Sequence, residues 1–248
     1  MEKGIGKRRV ALMDKKELIT IGWCDPGTTD GKFTEGLMAT SLQHKDKIAN
    51  MIRANGNQIG RQREVLIDGW YEKGNTDWLL WVDSDVVLTP DILNKLISIA
   101  DKKERPVVTG IYFISKQNEQ SMMMPMPCIF MDGEKPNEMY YIHPLPDNEV
   151  LKIDIAGMGL VMMHKDVVTK LKKKLKGGPM FAEIADVGSK FISEDVVFFR
   201  HLKNAGIPVY AHTGARAQHI KRFSFDENYY NVYWQYSQMT QQQEKKND

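Results

Sequence analysis

At 248 residues, 42% hydrophobic and 27% charged, the chain has a globular composition and room for one large α/β domain or two small ones. Its 34 basic and 32 acidic residues leave a net charge of +2, which gives no general affinity for nucleic acid, and two cysteines (Cys24 and Cys128) are too few for a disulfide framework. No apolar run approaches the ~18 residues of a membrane span, and residues 1–16, though basic, lack the apolar core of a signal peptide, so a soluble, cytoplasmic chain is the expectation.

Residues 1–16 read as a basic arm, 17–236 as one domain and 237–248 as a polar tail. The β-rich run Leu18-Ile19-Thr20-Ile21-Gly22-Trp23 predicts the first strand, and Asp25-Pro26-Gly27 ends it as a turn. Such a strand-end loop suits either nucleotide contact or a plain turn. A helix is predicted over 34–48, with Leu37, Met38, Leu42 and Ile48 mainly on one side. A short strand over 48–53 is closed by Asn55-Gly56-Asn57. The helix over 58–72 turns Ile59, Val65, Leu66 and Trp70 inward and carries Arg61 and Arg63 in its first turns. Cations at a helix N-terminus oppose the macrodipole. Diphosphate binding would account for them, because Arg presents a planar fork of donors; so would simple exposure.

Trp78-Leu79-Leu80-Trp81-Val82 is an apolar run of strand length, followed at once by Asp83-Ser84-Asp85. Parallel α/β sheets hold their ligands outside the carboxyl ends of the strands. Side chains two apart in an extended segment point the same way, so both carboxylates can face one hard cation such as Mg²⁺ or Mn²⁺ that shares its shell with phosphates. Alone, the triplet fits a turn with two solvated acids equally well. Thr89-Pro90-Asp91 is a helix start, with Ile92, Leu93, Leu96, Ile97 and Ala100 as its apolar face. A strand over 107–114 completes a βαβ unit. The first half thus predicts a doubly wound, mostly parallel sheet flanked by helices.

The segment 115–127 is polar and Met-rich (Met122, Met123, Met124, Met126), which suits an adaptable loop over a site or ordinary core filling. Residues 128–131 and 139–142 are predicted to pair around Asp132-Gly133. A strand over 150–155 leads into Ala156-Gly157-Met158-Gly159, where two glycines let the backbone approach something closely. Without a third glycine and a helix this is no dinucleotide fingerprint. The lysines of a helix over 165–176 read as a solvated face rather than a membrane contact. Ser193 is a cap for a helix that opens with Glu194-Asp195, turns Val196, Val197, Phe199 and Leu202 inward, and stops at Gly206. First-turn acids are ordinary dipole partners; the same geometry keeps a carboxylate ionised and available as a base. A strand over 207–211 precedes a turn or loop over 214–219 with Arg216 and His219. The aromatics Tyr229, Tyr230, Tyr233, Trp234 and Tyr236 are expected to pack on the domain, and the last ~10 residues to fray.

In this order the motifs resemble those of nucleotide-sugar glycosyltransferases with the GT-A fold, of the family-2-like, Asp-x-Asp type. The match consists of the strand and turn at 18–27, the Arg-bearing helix, Trp-Leu-Leu-Trp-Val-Asp-Ser-Asp, Gly157-Met158-Gly159, Ser-Glu-Asp-Val-Val-Phe-Phe from Ser193 to Phe199, and a lone His219, covering residues 18–222. The resemblance implies a GT-A-like sheet with a smaller acceptor-side subregion, and so a nucleotide-binding half (17–115) and an acceptor-binding half (116–236). It implies Asp85 as a metal ligand, Asp83 on the nucleotide ribose or on the metal through water, and His219 completing a shell that then suits Mn²⁺ better than Mg²⁺. Arg63, with Arg61 as second choice, would hold the nucleotide or diphosphate; the Arg61-Gln62-Arg63 segment departs from the commoner Arg-Asn of this position. Pro26, Asn55, Gly157 and Gly159 would be further substrate or nucleotide contacts. Asp195 would deprotonate the acceptor hydroxyl and Glu194 would position the acceptor, if the enzyme inverts; a retaining enzyme needs no such base. The implied partners are a nucleoside-diphosphate sugar and a glycan or other hydroxyl acceptor. Two other readings stand beside this one. A metal-dependent nucleotidyltransferase usually carries a cationic Gly-rich loop after its first strand, which Asp25-Pro26-Gly27-Thr28-Thr29 lacks. The other is an inactive nucleotide-sugar-binding protein.

Overall fold

The structure, a computed structural model, describes residues 13–14, 16–117, 123–135, 138–185, 191–221 and 227–247. Most of the basic arm and Met122 lie outside the described residues.

The chain opens with β1 (Ile19–Asp25), α1 (Gly31–Gln43), β2 (Ile48–Asn55), α2 (Ile59–Lys73) and β3 (Trp78–Val82). β4 (Val86–Val87), α3 (Pro90–Ile99) and β5 (Val107–Ile111) follow. The α3 start is built as its residues require: Pro90 opens it and the Thr89 hydroxyl accepts from the Ile92 N–H. The next strands are short: β6 (Phe113–Gln117), β7 (Met123–Pro127), β8 (Ile129–Asp132), β9 (Met139–Tyr141), β10 (Val150–Ile153) and β11 (Ile155–Ala156). The chain then returns to the core with β12 (Leu160–His164) and α4 (Lys165–Leu175). Last come β13 (Ile184–Ala185), β14 (Phe191–Ile192), α5 (Glu194–Asn204), β15 (Val209–Arg216), β16 (Gln218–His219) and α6 (Glu227–Asn247).

Seven strands form the main sheet in the order β10-β15-β5-β12-β3-β1-β2. β1, β2 and β3 run parallel, as do β5 and β15, whereas β12 is antiparallel to both β3 and β5 and β10 is antiparallel to β15. The sheet is therefore mixed and mostly parallel, with helices packed on it. β3, β5 and β12 are wholly buried, the pattern of strands covered on both faces. Each large apolar side chain so buried contributes about 1.5–3 kcal/mol.

Several expectations need correction. The strand expected over 150–155 is two: β10 joins the main sheet and β11 pairs with β8, the chain passing between them at Asp154, whose carboxylate accepts from the Asp132 N–H. The loop expected over 214–219 is extended: β15 reaches Arg216, and β16 pairs with β4. Met38 and Leu42 of α1 are exposed, its inward face being Phe33, Leu37 and Thr40, and Val65 of α2 is exposed too. The α6 aromatics Tyr229, Tyr230, Tyr233, Trp234 and Tyr236, expected to pack on the domain, are exposed, and α6 runs through residues expected to fray. The stop at Gly206 has its expected cause: its φ of +67° lies in the left-handed region that suits glycine.

Candidate functional site

Because β1, β2 and β3 are parallel, their carboxyl ends meet at one edge of the sheet. Asp25 and Asn55 are register partners at the ends of β1 and β2, and Asp83 follows the last residue of β3. A hollow of about 360 Å³ opens there, lined by Cys24 and Asp25 of β1, Pro26 just after it, Gly56 and Asn57 after β2, Ile59, Gln62 and Arg63 of α2, and Asp83, Ser84 and Asp85. Of the residues expected in the site, Pro26, Arg63, Asp83 and Asp85 line this hollow; Asn55 is one residue from its wall.

Asp83 and Asp85 have different partners. The strand ends at Val82, and residues 83–85 form a turn closed by the Val86 N–H on the Asp83 carbonyl, so the alternation of an extended segment does not govern them. Asp83 turns to Arg63, whose Nη2 lies 3.2 Å from both its carboxylate oxygens. Arg63 Nη1 reaches Glu194 Oε1 at 2.5 Å. Arg63 is only 4% exposed, and its guanidinium carbon stands 5.9 Å over the Trp81 ring. Burial would pull its pKa down, but Asp83 and Glu194 raise it above the usual arginine value. Arg61 on the same helix is exposed. The difference follows from helical spacing: Arg63 shares a face with the buried Leu66, Ile67 and Trp70, three, four and seven residues on, and Arg61 does not.

Asp85 faces the other way. The antiparallel pairing of β16 with β4 sets His219 opposite Val86, next to Asp85, and the Ile220 N–H donates to the Asp85 carbonyl at 2.7 Å. His219 Nε2 lies 3.1 Å from Asp85 Oδ2, and Lys221 Nζ donates to the same oxygen at 2.7 Å. Burial pushes the Asp85 carboxyl up, but His219 and Lys221 outweigh it and hold the pKa at about 2. His219 Nδ1 is 2.7 Å from the Phe113 carbonyl. A carbonyl only accepts, so Nδ1 carries the proton there and Nε2 is the nitrogen turned toward Asp85. A second hollow of about 760 Å³ is lined by Phe113, Ile114, Met124, Arg216, His219 and Lys221, among others.

The donor chemistry at Asp85 suits a hard divalent ion. One carboxylate and one imidazole nitrogen stand 3.1 Å apart, close to the roughly 3 Å between neighbouring ligands of an octahedral ion with bonds near 2.1 Å, and a cation, the Lys221 ammonium, already sits on the carboxylate. Two protein ligands are few, and among the described residues no group of three or more His, Cys, Asp or Glu side chains is placed to hold a metal. Any ion held there would have to take the rest of its shell from water or a bound ligand.

Glu194 and Asp195 begin α5. Successive helical residues diverge by about 100°, and the two separate accordingly. Glu194 is buried on Arg63, and burial raises its pKa even though Arg63 opposes the rise. Asp195 is partly exposed; its Oδ1 accepts from the Val196 N–H at 2.8 Å and from the Ser193 hydroxyl. Ser193 sits at the cap position, but its hydroxyl goes to Asp195 instead of capping the backbone. Asp195 is not among the residues that line the first hollow, although it directly follows Glu194, the partner of Arg63.

Gly157 and Gly159 do admit a close approach, but to Tyr112. A Cβ on Gly157 would come within 2.0 Å of the Tyr112 hydroxyl, and the Gly159 N–H donates to that hydroxyl at 3.2 Å. The Tyr112 ring in turn packs edge-on against His219, centroids 4.9 Å apart. Sequence reasoning missed Lys221, Tyr112 and Arg53. Lys221 was within reach, since residues two apart in an extended segment share a side and His219 had been singled out. Arg53 forks onto Asp25, both contacts 2.6 Å, and holds that carboxyl below its usual range; nothing in the spacing announces it.

No protein-family model matches the chain, and no curated protein matches its sequence. Solved structures do match its fold, which is a mixed α/β architecture similar to that of GT-A glycosyltransferases. The chain superposes on A197 from STIV with a TM-score of 0.50 at 16% identity, over 83% of this chain and 86% of that one. It superposes on GalNAc-T7, solved with UDP, GalNAc and Mn²⁺, with a TM-score of 0.51 at 8% identity, over 86% of this chain. It spans 45% of the GalNAc-T7 chain. At these identities the likeness is one of fold. No helix among the described residues is long and apolar enough to cross a membrane.

Proposed function

We propose that this chain is a metal-dependent glycosyltransferase, moving a sugar from a nucleoside-diphosphate sugar to an acceptor hydroxyl. The observation that carries the reading is the meeting of His219 and Asp85, 134 residues apart in sequence and 3.1 Å apart in space, at the rim of a hollow fit for a diphosphate at the carboxyl ends of parallel strands. A His219 remote from Asp85, with no hollow beside it, would have ended the reading. The likeness in fold to GalNAc-T7, which binds UDP and Mn²⁺, supports it at the level of architecture.

In this reading Asp85 and His219 hold Mn²⁺, or Mg²⁺, which when bound supplies charge neutralisation for the departing diphosphate. The nucleotide lies in the hollow between Pro26, Asn57 and Asp83, within a nucleotide-binding half over 17–115, and the acceptor meets the half over 116–236. Arg63 fixes Asp83 and Glu194 against one another, so Glu194 serves to position Arg63. Asp195 keeps Oδ2 without a partner among the described residues and takes the acceptor proton there, giving inversion at the sugar. The turn at the end of β1, Asp25-Pro26-Gly27-Thr28-Thr29, carries no cation of the kind a nucleotidyltransferase usually has in its Gly-rich loop. The test is thermal stabilisation by UDP- and GDP-sugars with and without Mn²⁺, followed by hydrolysis of the stabilising donor. Stabilisation that needs both sugar nucleotide and metal supports the reading; indifference to all of them ends it, and binding without any turnover leaves a binding protein.

A further inference from the structure

The cation on Asp85 has a consequence for how the site meets a metal. Asp85 Oδ2 is the oxygen that faces His219 Nε2, and Lys221 Nζ is bonded to that same oxygen at 2.7 Å. The contact is built by the main chain: β16 pairs with β4, and the Ile220 N–H on the Asp85 carbonyl clamps the segment from His219 to Lys221 alongside the acid. Without a metal the acid would stand half-buried next to a carbonyl-anchored imidazole, and the ammonium supplies the charge it lacks. Lysine suits such a post. It is a compact point charge on a flexible stem, whereas arginine grips a carboxylate with a fixed fork. The Lys221 side chain is 52% exposed, so it can swing into solvent without opening the core.

We propose that the Lys221 ammonium is a built-in stand-in for the divalent ion, holding the Asp85 carboxylate in the metal-free protein and competing with the metal for it. The inference rests on the glycosyl-transfer reading of this site. A divalent ion must displace the ammonium to reach Oδ2, so the apparent metal affinity is lower than the ligands alone would give.

The test is titration with Mn²⁺ alone, free ion being followed by electron paramagnetic resonance, on the full chain and on Lys221→Gln, Lys221→Arg and Asp85→Asn. Removing a unit charge a few ångströms from the ion should tighten Mn²⁺ binding by Lys221→Gln about tenfold. Lys221→Arg, which keeps the charge, should show no gain, and Asp85→Asn should lose the site. In 1 M KCl, where the screening length is about 3 Å, the gain of Lys221→Gln should shrink. If Lys221→Gln binds Mn²⁺ no better than the unaltered chain while Asp85→Asn loses it, the stand-in is overturned and the metal site survives. If no variant binds Mn²⁺, or Asp85→Asn binds it unchanged, the metal site itself falls and the stand-in with it.

Discussion

Two acidic pairs gather at the candidate site, and each is divided in the same way. In the turn after β3, Asp83 turns inward to Arg63 and Asp85 outward to His219 and Lys221. At the start of α5, Glu194 turns inward to Arg63 and Asp195 stays partly exposed. The two inward acids share one buried guanidinium although 111 positions separate them. The two outward acids keep access to solvent. A pair of neighbouring carboxylates thus need not be a pair in chemistry: one member of each is held by the same buried guanidinium, and the other is not.

The sharpest way to break this division is to neutralise one acid of each kind. Asp195→Asn removes an outward acid and should lower turnover about 10²–10⁴-fold, with sugar-nucleotide affinity unchanged, as read by steady-state kinetics beside calorimetric binding. Full turnover in that variant would refute the assignment of the base. Arg63→Met strikes the inward acids instead. It leaves two largely buried carboxylates without their cation, a change that costs about 3–5 kcal/mol, and should appear as a large drop in the denaturation midpoint. Adding Glu194→Gln to Arg63→Met should recover part of that loss, because one of the stranded charges is gone; an additive double variant would show that the two do not share the guanidinium.

A smaller effect separates packing from ligand contact at Gly157. Gly157→Ala places a methyl within 2.0 Å of the Tyr112 hydroxyl, and an overpacked core site costs about 1–3 kcal/mol. The loss should be the same with and without sugar nucleotide. A variant that folds as well as the original but binds nucleotide poorly would instead make Gly157 a ligand contact.

What could be read in the sequence follows from how local each signal is. The strand Trp78–Val82 and the start of α3 are written in adjacent residues, a bounded apolar run and a Thr-Pro-Asp cap, and both fold as written. The antiparallel sense of β12 is not written anywhere nearby. A strand buried on both faces is continuously apolar in either direction, so its sense is set by its neighbours β3 and β5. The end of β15 looked like a turn because Thr213 and Gly214 are turn formers, yet the sheet carries the chain through them with a shift of register before Arg216. The exposed aromatics of α6 show the opposite failure: composition suggested burial, and the side chains stand largely in solvent. At the site, residue identities were legible and orientations were not. Which way Asp83 points depends on Arg63 two elements earlier, and Glu194 and Asp195 differ only by the 100° step of a helix.

The smallest expected effect tests the outward acid of the first pair through stability alone. Asp85 has a pKa of about 2 in the folded chain against an ordinary 3.8. Between those values the unfolded chain binds more protons than the folded one, so stability rises with pH across this window. The contribution is fully present above pH 3.8 and is lost as the pH falls through about 2. The full shift would correspond to about 2.4 kcal/mol, but the Asp85 side chain is 40% exposed and solvent screens its two partners, so about 1 kcal/mol or less is expected. Asp85→Asn should flatten the stability profile between pH 4 and pH 2, and added salt should flatten the original chain toward it. Arg63→Met, whose cation serves the inward acids, should leave that low-pH slope largely in place. If the slope vanished with Arg63 and not with Asp85, the two acidic pairs would not be divided as their contacts indicate.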